Sequence, residues 1–204
     1  MTLAIPTRRA ILLRRQASTV ISPTYNHLWI SRTSAADNVW TAITWSPSLG
    51  MFAAVSGDGI GNRVMTSSDG ITWTSRTSAA DNSWRAITWS PELGMFAAVS
   101  ASGTGNRVMT SNNGITWTSR TSAVDNPWAG ITWSPSLGMF AAVSLTGTGN
   151  RVMTSSDGIT WTSRTSAADN FWVGITWSSE LGMFAAVSDS GTGNRVMTSG
   201  YQTS

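Results

Sequence analysis

The 204-residue chain has no cysteine, no lysine, one histidine (His27), and no apolar run near the roughly 18–20 residues that a membrane-spanning helix requires. Without a thiol, a disulfide scaffold, a thiolate zinc site and a cysteine nucleophile are excluded. One imidazole cannot supply a multi-histidine metal centre, so neither metal nor cofactor is expected. Charge is also scarce: charged residues make up 11% of the chain, and all thirteen basic residues are arginine. Nor does any stretch repeat its apolar residues with the helical period. What is present is 41% hydrophobic residues, twelve tryptophans and 19 glycines. That is too apolar for a mostly disordered chain and suits one globular domain.

The charge is uneven. Arg8, Arg9, Arg14 and Arg15 stand in residues 1–22 without an acid, whereas the rest of the chain holds nine arginines against ten acids. The net charge of +3 therefore belongs to a basic segment, residues 1–26, ahead of an almost neutral body. Ala10-Ile11-Leu12-Leu13 is cut on both sides by arginine pairs and is too short for the core of a secretory signal. Residues 1–26 are expected to anchor the body into a larger assembly through those four arginines. A neutral body disfavours nucleic acid as the partner.

A repeat sets the architecture. Copies starting at Ser31, Ser75 and Ser119 align without a gap at a period of 44, and a fourth starts at Ser163 and stops after Ser199. The first two copies differ at only 8 of 44 positions. Short strands at this period indicate propeller blades. In the second copy four strands are read: Trp84–Ser90, Met95–Ser100, Arg107–Ser111 and Ile115–Ser122, here called A, B, C and D. They are rich in Val, Ile, Thr, Trp and Phe, which fit a pleated, half-buried surface. The pairs Asp69-Gly70, Asn113-Gly114 and Asp157-Gly158 read as structural turns between C and D, of the type I′ hairpin kind. The expected fold is all-β, a propeller with four four-stranded blades in residues 27–204.

The fourth copy has A, B and C but no D, while residues 27–34 read as a D strand with nothing before it. Filling the open edge of the last blade with this strand would remove a template for unwanted pairing. Closure within one chain gives four blades, and exchange between two chains gives a homo-oligomer with eight. The first is the expectation.

The segment Ser67-Ser68-Asp69-Gly70-Ile71-Thr72-Trp73, repeated at Ser155–Trp161 and altered at Ser111–Trp117, resembles the Asp-box (BNR) motif of propeller blades, with its Gly, Thr and Trp one residue early. The resemblance implies a turn between the third and fourth strands. It spans sialidases and other glycoside hydrolases, sorting receptors and assembly factors, so it does not choose a function. Asn113 replaces the aspartate in one copy, which argues that the position supplies a turn-capping oxygen and no catalytic acid.

Glycoside hydrolysis needs two placed carboxylates, or a tyrosine with an acidic partner. Glu92 and Glu180 sit in A–B turns where other copies carry Ser48 and Ser136, and so read as solvated turn residues, while Tyr25 and Tyr201 lie outside the repeats. No catalytic residue is therefore assigned, and a sialidase-like hydrolase is the alternative function. Differences between copies cluster at Val39/Ser83/Pro127/Phe171, at Thr41/Arg85/Ala129/Val173, and in the B–C loop at positions such as Gly57/Ala101/Leu145/Asp189. The D–A and B–C connections of a meander emerge at one end, so this face is the candidate site for a glycan or protein partner. There, Asp37, Asp81, Asp125 and Asp169 precede Trp40, Trp84, Trp128 and Trp172. Such a ring could stack on sugars and accept hydroxyl hydrogen bonds, one weak site per blade. Alternatively the indoles wedge adjacent blades and the aspartates cap the turn. The expectation is a non-enzymatic recognition or structural module. A short anchor followed by a propeller is similar to surface adhesins and virion appendages, which points to an extracellular or virion-surface location.

Overall fold

The computed structural model describes residues 28–200, and each copy of the repeat folds as an antiparallel meander. Blade 1 holds β1 (Trp40–Ser46), β2 (Met51–Ser56), β3 (Val64–Ser67) and β4 (Thr74–Arg76). Blade 2 holds β5 (Trp84–Ser90), β6 (Met95–Ser100), β7 (Val108–Ser111) and β8 (Thr118–Arg120). Blade 3 holds β9 (Trp128–Ser134), β10 (Met139–Ser144), β11 (Val152–Ser155) and β12 (Thr162–Arg164). Blade 4 holds β13 (Trp172–Ser178), β14 (Met183–Ser188) and β15 (Val196–Thr198). The inner strands pack in sequence, β1 on β5, β5 on β9 and β9 on β13.

Strand alternation gives every blade two unlike faces. In blade 2, Trp84, Ile87, Trp89, Phe96, Met109 and Trp117 form a bulky face against Ala53, Val55 and Val64 of blade 1. The opposite side, Ala97, Val99 and Val108, meets the bulky face of blade 3. The repeated sequence MFAAVS thus supplies a large residue to one side and small ones to the other, which lets neighbouring sheets interlock. β6 is buried along its whole length.

Two sequence expectations need correction. The C–D connections are not two-residue hairpins: Thr66 pairs with Thr74 across a seven-residue loop. Asp69 Oδ1 accepts from the Ile71 and Thr72 N–H groups, both at 2.8 Å, and Gly70 supplies the positive φ of +69°. Asn113 and Asp157 do the same in blades 2 and 3, beside Gly114 and Gly158. These caps hold in the loop two N–H groups that would otherwise join the ladder, so the D strand is only three residues long.

Among the described residues the expected closure of the last blade is not formed. Leu28–Ser34 take no strand, and among the described residues the sheet of β13, β14 and β15 has three strands. His27 and the basic segment with Arg8, Arg9, Arg14 and Arg15 lie outside the described residues. The reason is topological. Each D strand belongs to the blade that precedes the inner strand it leads into, as β4 leads into β5. Residues 29–34 lead into β1, so their place is in a blade ahead of blade 1. Blade 4 does not occupy that place, because β1 and β13 do not pack as the other inner pairs do.

Candidate functional site

The D–A and B–C loops of each blade do share one end. Ala101 N–H donates to Ser83 O at 2.9 Å, and the same bond recurs from Gly57 to Val39, from Leu145 to Pro127 and from Asp189 to Phe171. Asn82 Nδ2 reaches across to Asn106 O and Oδ1 at 2.8 and 3.0 Å, again with counterparts in every blade. These bonds tie the two loops of one blade together.

The aspartates do something different. Asp81 Oδ1 accepts from Gly61 N–H of the preceding blade at 2.7 Å and lies 3.6 Å from Arg63 Nε. Asp125 does this with Gly105 and Arg107, and Asp169 with Gly149 and Arg151. Each is a staple from one blade to the one before it. Asp37 is exposed, has no such partner among the described residues, and stands at the open side of blade 1. The sequence reading missed Arg63, Arg107 and Arg151, although their recurrence in step with the aspartates was the available signal.

The indoles next to them are wedges. Trp84, Trp128 and Trp172 are completely buried, and their Nε1 groups donate to Ala80, Val124 and Ala168 carbonyls at 3.0–3.2 Å. No sugar can stack on them, and Trp40 keeps part of its surface because no blade precedes it among the described residues. Of the sugar platforms expected at Trp40, Trp84, Trp128 and Trp172, the last three are ruled out by burial between blades.

What remains accessible at this end is the variable set. Thr41, Arg85, Ala129 and Val173 each occupy the unpaired position of a β-bulge: Trp84 pairs with Ser100 and Ala86 with Val99, leaving Arg85 outside the ladder. The same shift occurs in β1, β9 and β13. A bulge re-aims one side chain per strand and is common beside functional sites. Arg85 and Val173 are exposed, as are Val39 and Phe171 in the adjoining loops. The Phe171 ring lies 5.9 Å from the Arg151 guanidinium of blade 3.

Several further carboxylates are engaged structurally. Asp58 Oδ1 accepts from Val39 N–H at 2.6 Å. Glu92, expected to be a solvated turn residue, accepts from Trp133 Nε1 of the next blade at 2.6 Å. Ser48 and Ser136 hold the positions equivalent to Glu92 in the blades before Trp89 and Trp177, whose buried Nε1 groups have no partner. The Thr72 and Ile71 N–H groups and the Ser67 hydroxyl hold Asp69 down at about 2. Asp157 is lowered for the same reasons, and Glu180 by its own N–H and the hydroxyls of Ser179 and Ser178. A general acid for glycoside cleavage needs a shift in the opposite direction.

No family model matches the chain, and no curated protein does. Solved structures do. Virginiamycin B lyase from Staphylococcus aureus is similar over 82% of this chain and 57% of its own, at 17% identity and a TM-score of 0.59. A GH74 enzyme from Niastella koreensis is similar over 76% of this chain and 28% of its own, at 17% identity and a TM-score of 0.59. A chain of a nidogen/laminin complex is similar over 74% of this chain and 57% of its own, at 12% identity and a TM-score of 0.54. At such identities the likeness shows the fold alone: an all-β propeller arrangement of blades, of which this chain spans little more than half the length found in the lyase. The neighbours include both enzymes and a component of a binding complex, so the fold does not select among functions.

Proposed function

We propose that this chain is a non-enzymatic recognition module that holds a protein partner at the loop end of its inner strands. The observation that supports it is the row of bulges, which places one variable residue per blade (Thr41, Arg85, Ala129, Val173) at this end, with Arg85 and Val173 exposed and Thr41 bonded to the Val55 and Trp84 carbonyls, while the polar groups shared by the copies bind one another. Arg85, Val173, Phe171 and Val39 make a mixed apolar and cationic surface, a composition favoured at protein interfaces. Residues 1–26 attach the module to a larger assembly, on an extracellular or virion surface, through Arg8, Arg9, Arg14 and Arg15. Replacing all four by alanine should release it, and unchanged assembly would contradict that role.

The test compares the wild-type chain with a variant carrying Arg85→Ala, Phe171→Ala and Val173→Ala. A partner captured from the producing cells should be lost with the variant, whose melting temperature stays unchanged. Binding to an immobilised glycan panel that tracks these residues would replace the protein partner with a sugar. A sialidase-like hydrolase is the second reading. Turnover of fluorogenic glycosides would establish that reading and end the first.

A further inference from the structure

Among the described residues, the first and last blades expose complementary faces. Blade 1 turns its bulky face to solvent: Ile43 is 56% exposed and Trp45 39%, where their counterparts Ile87 and Trp89 are each 7%. Blade 4 turns out its small face: Val187 is 51% exposed and Val196 64%, where Val99 and Val108 are fully buried. Inside the chain these two kinds of face are packed on each other at every junction.

The polar contacts of the junction are split in the same way. Asp37 is the counterpart of Asp81, Asp125 and Asp169 and lacks a preceding arginine among the described residues. Arg195 is the counterpart of Arg63, Arg107 and Arg151 and lacks a following aspartate, its Nε donating only to Gly191 O. Glu180 occupies the turn position from which Glu92 reaches Trp133 of the next blade, and Trp45 is the indole that the following blade 1 would offer it.

A third vacancy lies in blade 4. In blade 3 Trp161, the residue just before β12, packs with Phe140, Ala97 and Leu93. At the matching place in blade 4, where among the described residues no strand pairs with the free edge of β15, there is a cavity of about 540 Å³ lined by Phe184, Ala141, Leu137 and Met139. The residue that aligns with Trp161 is Trp29, which is 93% exposed.

We propose that the missing neighbour is a second copy of this chain. Blade 4 of each copy is followed by blade 1 of the other, and residues 29–32 of that second copy enter blade 4 as its fourth strand, with Trp29 in the cavity. Asp37 then meets Arg195 and the Gly193 N–H, and Trp45 Nε1 meets Glu180. The contact is head to tail, and two copies use each end once and leave no open edge. Two copies give eight blades, within the usual range of about 4–8, whereas three would give twelve. This inference is independent of the partner proposed for the loop end.

Light scattering and native mass spectrometry of the 204-residue chain at micromolar concentration test it. The expected species has twice the 21.7 kDa chain mass. Trp29→Ala, which removes a side chain the single chain leaves in solvent, should weaken association at least about tenfold while the monomer keeps its sheet content. Asp37→Arg should do likewise by setting two guanidinium groups together, and adding Arg195→Asp should recover part of the loss. A monomer under these conditions overturns the proposal, as does an open-ended polymer or a dimer indifferent to both single substitutions. A monomer in which Trp29 is shielded from quenchers would show closure within one chain instead.

Discussion

Trp128→Ala separates a wedge from a ligand platform. The indole is fully buried, packed with Ala97, Val99 and Val108 of the preceding blade, and its Nε1 donates to Val124 O at 3.2 Å. Truncating a buried Trp to Ala costs about 3–5 kcal/mol through lost transfer energy and the cavity left behind. That is a large part of the roughly 5–15 kcal/mol that holds an ordinary domain folded. At about 2–4 °C per kcal/mol for a chain of this size, the melting temperature should fall by about 6–20 °C. Thermal unfolding followed by circular dichroism, with a urea titration alongside, reads this directly. Trp40→Ala should cost clearly less in the isolated chain, because the face it occupies is open. A Trp128→Ala protein that melts within about 2 °C of wild type, less than 1 kcal/mol by the same conversion, would refute the wedge and return the indole to the list of candidate ligand contacts.

Other outcomes follow from the same geometry. Asp125→Ala removes a charge-assisted bond to Gly105 N–H and a partly exposed pair with Arg107, and should destabilise by about 1–2 kcal/mol in urea titrations, with Asp37→Ala near neutral in the monomer. Ser136→Glu should give Trp177 Nε1 the partner that Glu92 gives Trp133, raising stability by about 1 kcal/mol, whereas Glu92→Ser should lower it by a similar amount. Asp69 has a folded pKa of about 2 against an ordinary 3.8, so its contribution is present above about pH 4 and is lost as the pH falls towards 2. Asp69→Asn, the residue that blade 2 uses at Asn113, should keep the cap and flatten that part of the acid-unfolding profile. An unchanged profile would mean the carboxylate is not held by the turn.

The inner strands were legible because their signal is local. Trp84–Ser90 and Met95–Ser100 begin and end where alternation and the flanking turns place them. The D strand was overestimated, since Ile115 and Thr116 have the composition of a strand but give their N–H groups to Asn113 Oδ1. The variable loop end was readable from differences between copies. The roles of Trp84 and Asp81 were not, because residue type does not reveal which blade face a side chain joins, and Arg63 meets Asp81 only after two blades have packed. Glu92 was misread for the same reason: its partner, Trp133, lies on the next blade.

The most direct test is a crystal structure of the purified 204-residue chain. The account predicts a ring of eight blades from two copies, with residues 29–32 of each in the ladder beside β15 of the other and Asp37 against the second copy's Arg195. A four-bladed ring in which residues 29–32 pair with β15 of their own chain would contradict it.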